Sequence, residues 1–142
     1  MRPMTVRSIL LLWLLAINPA VAAVDFMNDV KPLLSRLGCN GSACHGKAEG
    51  QNGFKLSVFG ADPEGDYHSI LKEARGRRIT HAAPKASLFL RKATGEVGHG
   101  GGVRLQKGSR EYRVLHDWIR GGLTFAEEKR PEMVALRMEP AR

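Results

Sequence analysis

The tightest constraint on this chain is the run Gly38-Cys39-Asn40-Gly41-Ser42-Ala43-Cys44-His45-Gly46, which holds both of its cysteines and sets a histidine directly after the second. Three chemistries use two thiols at this spacing. A Cys39–Cys44 disulfide closes so short a loop without steric difficulty, but it gives His45 no reason to follow Cys44. A zinc site would draw on both thiolates and two histidines, yet the usual closely spaced pair of histidines is missing. Covalent haem attachment accounts for the adjacency. Two thiols add across the porphyrin vinyl groups, and a His following the second Cys is carried beneath the iron as its proximal ligand. The common form is Cys-x-x-Cys-His, whereas four residues separate Cys39 from Cys44. The vinyl positions are fixed, so the additional residues are expected to bulge outward. Asn40, Gly41, Ser42 and Ala43 are small or turn-permissive, and Gly41 tolerates positive φ.

The N-terminus reads as a secretory signal. Arg2 and Arg7 are followed by the apolar run Ile9 to Ile17, a break at Asn18-Pro19 and the small residues Ala20-Val21-Ala22-Ala23. This is the order of a cleavable signal peptide over residues 1–23. The run falls short of the roughly 20 apolar residues that span a bilayer, so no membrane span is expected after cleavage. The expected location is periplasmic or cell-surface, where free thiols oxidise. A chain of 142 residues then leaves room for one domain.

The chain is basic, with a formal charge of +8. The excess gathers in Lys72, Arg75, Arg77 and Arg78, and again in Arg104, Lys107, Arg110 and Arg113. The plain reading is a solvated surface. The sharper one is a docking face for an acidic redox partner, whose complementary field would speed encounter. No nucleic-acid-binding module is legible, so no nucleic acid partner is expected.

The periodicity is helical. Phe26, Val30, Leu33, Leu34 and Leu37 recur at three- and four-residue steps. Pro32 interrupts them, which predicts a regular helix beginning near Asn28 with Pro32 in its first turns, ended by Gly38. Ser109 is a candidate N-cap for Tyr112, Leu115, Trp118 and Ile119, with Gly121-Gly122 stopping the run. Asp62 and Pro63 open a helix to Glu73 with Tyr67, Ile70 and Leu71 inward. Ser87 caps a short one through Leu88, Phe89 and Leu90. Phe54 to Phe59 alternates apolar and polar and reads as a short strand or an extended loop.

Together with the attachment run, the segment Val24-Asp25-Phe26-Met27-Asn28-Asp29-Val30-Lys31-Pro32-Leu33-Leu34 resembles the cytochrome-c-type haem domain at the N-terminus of large exported proteins of Planctomycetes and related bacteria. Gly53-Phe54-Lys55-Leu56-Ser57, Ala74-Arg75-Gly76-Arg77-Arg78, His99-Gly100-Gly101-Gly102 and Trp118-Ile119-Arg120 extend the likeness over about residues 24 to 125. The widened Cys-x4-Cys-His form is familiar in that family. The resemblance implies an all-α, cytochrome-c-like domain over 24–125, its terminal helices crossing beside one covalent haem c.

His99 is the expected distal iron ligand. It lies among glycines that let backbone approach a flat cofactor, and in the place where related domains often carry a Met before the C-terminal helix. His68, His81 and a Met are the other candidates; His116 reads as a surface residue. Arg77 and Arg78 are candidate propionate partners, since guanidinium pairs well with carboxylate. Two protein ligands leave no open iron site, which points to an electron carrier rather than an enzyme. A peroxidase would need an open distal side with an acid–base group, and a third reading is a non-redox structural or sensing module. The tail, 126–142, is linker-like, and alternating Val134, Leu136 and Met138 suggest a strand. In the resembling proteins such a strand commonly opens a β-sandwich, so the chain is expected to be either a stand-alone relative or the first piece of a longer protein with companion domains, its tail poorly ordered.

Overall fold

A computed structural model describes residues 23–126. The signal segment up to residue 22 and the tail from residue 127, with its expected strand at Val134–Met138, lie outside the described residues. Four α-helices carry the fold: α1 (Lys31–Arg36), α2 (Pro63–Leu71), α3 (Leu88–Ala93) and α4 (Arg110–Arg120). Short 3-10 turns at Val58–Gly60, Glu73–Gly76 and Pro84–Ala86 connect them. None of these helices is long and apolar enough to cross a membrane.

The first helix starts earlier than its periodicity predicts. Asp25 caps it by accepting from the Asn28 N–H, and Phe26–Val30 forms a π-helical turn that runs into α1. Pro32 supplies the reason. Its ring has no N–H and crowds the carbonyl four residues back; a wider turn ahead of it relieves that contact. Gly38 then ends the helix at φ +73°, a backbone region other residues enter only with strain. The two caps expected at Asp62 and Ser109 form as read, accepting from Gly65 N and Tyr112 N. Ser87 differs. Its side chain makes no cap bond to α3; it is fully buried and accepts instead from the Thr80 N–H at 2.9 Å.

Phe54–Phe59 takes the extended-loop form. Among the described residues there is no β-strand, and a single bridge pairs Gln51 with Phe54. No second strand is needed, because other partners take the segment's polar backbone groups. Leu56 N donates to His45 O at 2.9 Å, Ser69 Oγ donates to Lys55 O at 2.7 Å, and Ser57 N donates to the Asp66 carboxylate. Leu56 turns inward and is 1% exposed, while Phe59 stands 70% exposed.

The ends of the domain meet. Phe26 packs on Trp118 with ring centroids 5.8 Å apart, and Phe26 N donates to Thr124 O at 2.9 Å. Trp118 Nε1 donates to the same carbonyl, and Tyr67 Oη to Leu123 O. Phe26, Leu56, Ile70, Leu90, Leu115 and Trp118 belong to a single core cluster. Each helix is too short to persist alone; their shared core and the strap at Leu123–Phe125 hold them together.

Candidate functional site: two facing imidazoles over a cysteine loop

The loop that follows α1 is wound tightly on itself. Cys39 N donates to Leu34 O at 2.9 Å, Cys44 N to Gly41 O at 2.9 Å, and His45 N returns to Cys39 O at 3.0 Å. Gly46 closes it against backbone: a Cβ there would overlap the Asn40 carbonyl oxygen. Ser42 and Ala43 are exposed, as an outward bulge requires. Asn40 is not part of the bulge. It is 1% exposed, its Nδ2 donates to Ser35 Oγ at 2.9 Å, and its carbonyl accepts from Phe59 N at 3.3 Å. Its Nδ2 is satisfied there, while its Oδ1 is buried with no hydrogen-bond partner among the described residues. The thiols are not bonded to each other; both are free and half-buried. Burial, with Cys44 beside it, pushes the Cys39 thiol up to about 11.

Both cysteines line a cavity of about 350 Å³ together with His45 and His99. Its apolar walls are Leu34, Leu37, Phe54, Leu56, Phe89 and Leu115. Cavities of this size with apolar walls and a few convergent polar groups are the usual form of a cofactor site. The two imidazoles stand close together, with ring centroids 6.4 Å apart and ring planes within 14° of parallel. Each is held by its Nδ1. His45 Nδ1 lies 2.9 Å from Phe54 O, and His99 Nδ1 lies 2.7 Å from Gly102 O. A carbonyl can only accept, so Nδ1 is the donor in each ring, and the neutral form of either ring keeps its lone pair on Nε2. Burial holds His45 below the ordinary histidine range, with His99 and Arg78 adding to the effect. A neutral imidazole is the form that ligates a metal.

The other three histidines stand elsewhere. His68 and His81 are exposed, and His116 Nδ1 pairs with Asp117 Oδ1 at 3.0 Å; none lines the cavity. Met27 is packed against the core. Arg77 is exposed at the cavity margin, whereas Arg78 is 4% exposed and donates to three backbone carbonyls. Arg78 is therefore committed to the fold in a way that Arg77 is not.

Sequence reasoning passes over three residues here. Lys92 lines the cavity and donates to Gly98 O. Arg104 donates from Nε to Gly101 O at 2.8 Å and lies 4.0 Å from Cys44 Sγ. Phe54 supplies the carbonyl that orients His45. Arg104 sits five residues past His99, close enough in sequence to be considered with its loop. A backbone acceptor such as Phe54 O leaves no signal in residue identity. Among the described residues the cavity lining holds Arg77, Arg78, Lys92 and Arg104 and no carboxylate, so members of both basic clusters reach it. Among the described residues, no three His, Cys, Asp or Glu side chains gather around a point as for a bare metal ion. Comparison with protein-family models, with curated proteins and with solved structures yields no match to this chain.

Proposed function

We propose that this chain is an exported monohaem protein of c type, with haem held through Cys39 and Cys44 and its iron between His45 and His99, serving to pass single electrons to and from a partner protein. The observation that carries the reading is the pair of close, near-parallel imidazoles. Two metal–imidazole bonds of about 2 Å each, plus the two ring radii, add to roughly 6 Å between centroids. His45 and His99 stand 6.4 Å apart, each with its Nδ1 already taken by a carbonyl. That spacing and that hydrogen-bonding pattern would suit two imidazoles holding one metal. The cysteine pair fits the same group. Both thiols are free, both line the cavity, and His45 is bonded through its own N–H to Cys39 O, so thiols and imidazole form one unit.

A haem iron with two imidazole ligands supplies a one-electron couple, at lower potential than a His/Met pair would give. The residues have simple tasks in that role. His45 and His99 would hold the iron of the group, which would leave it no coordination position for a substrate. Leu34, Leu37, Phe89 and Leu115 keep water from the faces. Arg77, Lys92 and Arg104 offer charge to two propionates at a cavity free of competing carboxylates. Export rests on residues 1–23 and supplies the compartment in which such attachment is made. The cytochrome-c-type domain of large exported proteins, with companion domains after the tail, is the family reading that goes with this proposal.

The test is expression with the signal segment in a host that matures c-type cytochromes. A pyridine haemochrome assay should find one covalent haem per chain. Near-parallel imidazole planes should give a rhombic low-spin ferric resonance rather than a strongly axial one. Absence of covalent haem, or a high-spin ferric spectrum, overturns the proposal.

A further inference from the structure

Arg78 is a buried cation with an unusual set of partners. Its Nη1 donates to Ser69 O at 2.9 Å and to Glu73 O at 3.1 Å, and its Nη2 to Gly53 O at 2.7 Å. Among the described residues it forms no ion pair; the Glu73 carboxylate lies 2.7 Å from Ser69 Oγ instead, sharing that hydroxyl's one proton with Lys55 O. Burying a guanidinium on neutral carbonyls is unfavourable, and the turn that delivers it is strained. Ala74 and Arg75 both sit at positive φ, +50° and +62°, a region that non-glycine residues enter only with strain. Two unfavourable features at one point call for a compensating role.

That role lies one residue beyond Gly53. The Arg78 guanidinium stacks on the Phe54 ring, 4.3 Å from its centroid. His45 also lies beside that ring, with centroids 4.5 Å apart. The Phe54 carbonyl is the acceptor for His45 Nδ1. Arg78 thus grips the Gly53–Phe54 segment twice, by the carbonyl before Phe54 and by the ring of Phe54. We propose that Arg78 is a positioning residue for His45: its guanidinium fixes the Gly53–Phe54 segment so that the Phe54 carbonyl holds the His45 ring in one tautomer and one plane. The proposal rests on the functional reading above for what His45 does, and it replaces the propionate role expected for Arg78. Lysine is a poor substitute, because three carbonyls arranged around a planar fork match a guanidinium and not a single ammonium.

The experiment compares the haem-loaded wild type with Arg78→Lys and Arg78→Gln. It measures hydrogen exchange of the His45 Nδ1–H and of the Trp118 indole N–H by NMR, and the ferric low-spin resonance. Trp118 is fully buried and donates to Thr124 O, so it reports on the stability of the fold. In both variants the His45 proton should exchange at least about tenfold faster, while the Trp118 proton stays within about twofold. The ferric resonance should broaden away from the rhombic form, less in Arg78→Lys than in Arg78→Gln. Unchanged His45 exchange in both variants overturns the proposal. So does equal acceleration of His45 and Trp118, which would make Arg78 a brace of the whole fold and nothing more. If Arg78→Gln does not fold, Arg78→Lys carries the same comparison. Lack of covalent haem in the wild type would instead overturn the functional reading, and the same exchange ratio in the haem-free chain would judge Arg78 separately.

Discussion

The two walls of the cavity hold an imidazole in opposite ways. On the His45 wall the ring is bound to a loop whose amides close on one another, backed by Phe54, and Phe54 is gripped by buried Arg78. On the His99 wall the ring stands in Gly98-His99-Gly100-Gly101-Gly102, tied by its own loop through Gly102 O and by Arg104 to Gly101 O. Positions 98, 100 and 102 have open space around them, and a Cβ at Gly101 would come 3.2 Å from His99 Cε1. The first wall is rigid because distant segments converge on it. The second is more local: the ring bonds only within its own loop, which α3 reaches through Lys92 at Gly98 O. Under the proposed function this separates a ligand that belongs to the fold from one that can be exchanged without disturbing it.

The sharpest way to break the contrast is to remove each imidazole. His45→Ala should lower the yield of haem-loaded protein by more than about a hundredfold, since it removes a direct ligand at the attachment loop. The measure is covalent haem per purified chain. His99→Ala should leave attachment intact and convert the low-spin ferric spectrum to a high-spin one that binds added imidazole. If the two variants lose haem equally, the walls are not different in kind.

Glycine substitutions probe the same contrast through the backbone. Gly46→Ala forces a methyl into the Asn40 carbonyl, where neither side is a flexible side chain. It should cost at least about 3 kcal/mol of unfolding free energy, measured by denaturant titration. Gly101→Ala meets only the edge of the His99 ring, so it should cost less than about 1 kcal/mol and appear instead as a shifted low-spin spectrum. A large stability loss in Gly101→Ala would mean that the glycine loop is as tightly built as the cysteine loop.

The difference between the walls also governs what could be read from the sequence. Phe26, Leu33, Ile70, Leu115 and Trp118 announce the helical core by spacing alone, and Asp62 and Ser109 announce their caps by residue type. His99 is conspicuous because its loop is self-contained: the glycines that frame it are its neighbours in sequence. The supports of His45 are not. Phe54 acts through a carbonyl, which every residue has, and Arg78 reaches it through a left-handed turn at Ala74 and Arg75. Non-glycine residues at positive φ carry no sequence mark, so a reading by residue type sends Arg78 to the propionates and Asn40 to the outer bulge. Ser87 misleads similarly, since a hydroxyl before a helix looks like a cap whether or not it bonds the helix.

The smallest expected effect lies behind the rigid wall, at Asp66. Its carboxylate accepts from the N–H and the hydroxyl of Ser57, which anchors the segment running on from Phe54. Burial raises the Asp66 carboxyl above the ordinary value of about 3.9, against the lowering effect of those two hydrogen bonds. Between that ordinary value and the raised one, the folded chain therefore binds more protons than the unfolded chain. Its contribution to stability is complete below the unfolded value and declines as pH rises through the folded one. Denaturation midpoints taken as pH rises from the ordinary carboxylate value should show this decline, and Asp66→Asn should flatten that part of the profile. Because the amide oxygen introduced by Asp66→Asn would still accept from one Ser57 donor, the spectrum of the His45 wall should hardly change. A profile of the same slope in both proteins would mean that Asp66 is not held protonated by burial, and that the wall gains its rigidity from Arg78 and the cysteine loop alone.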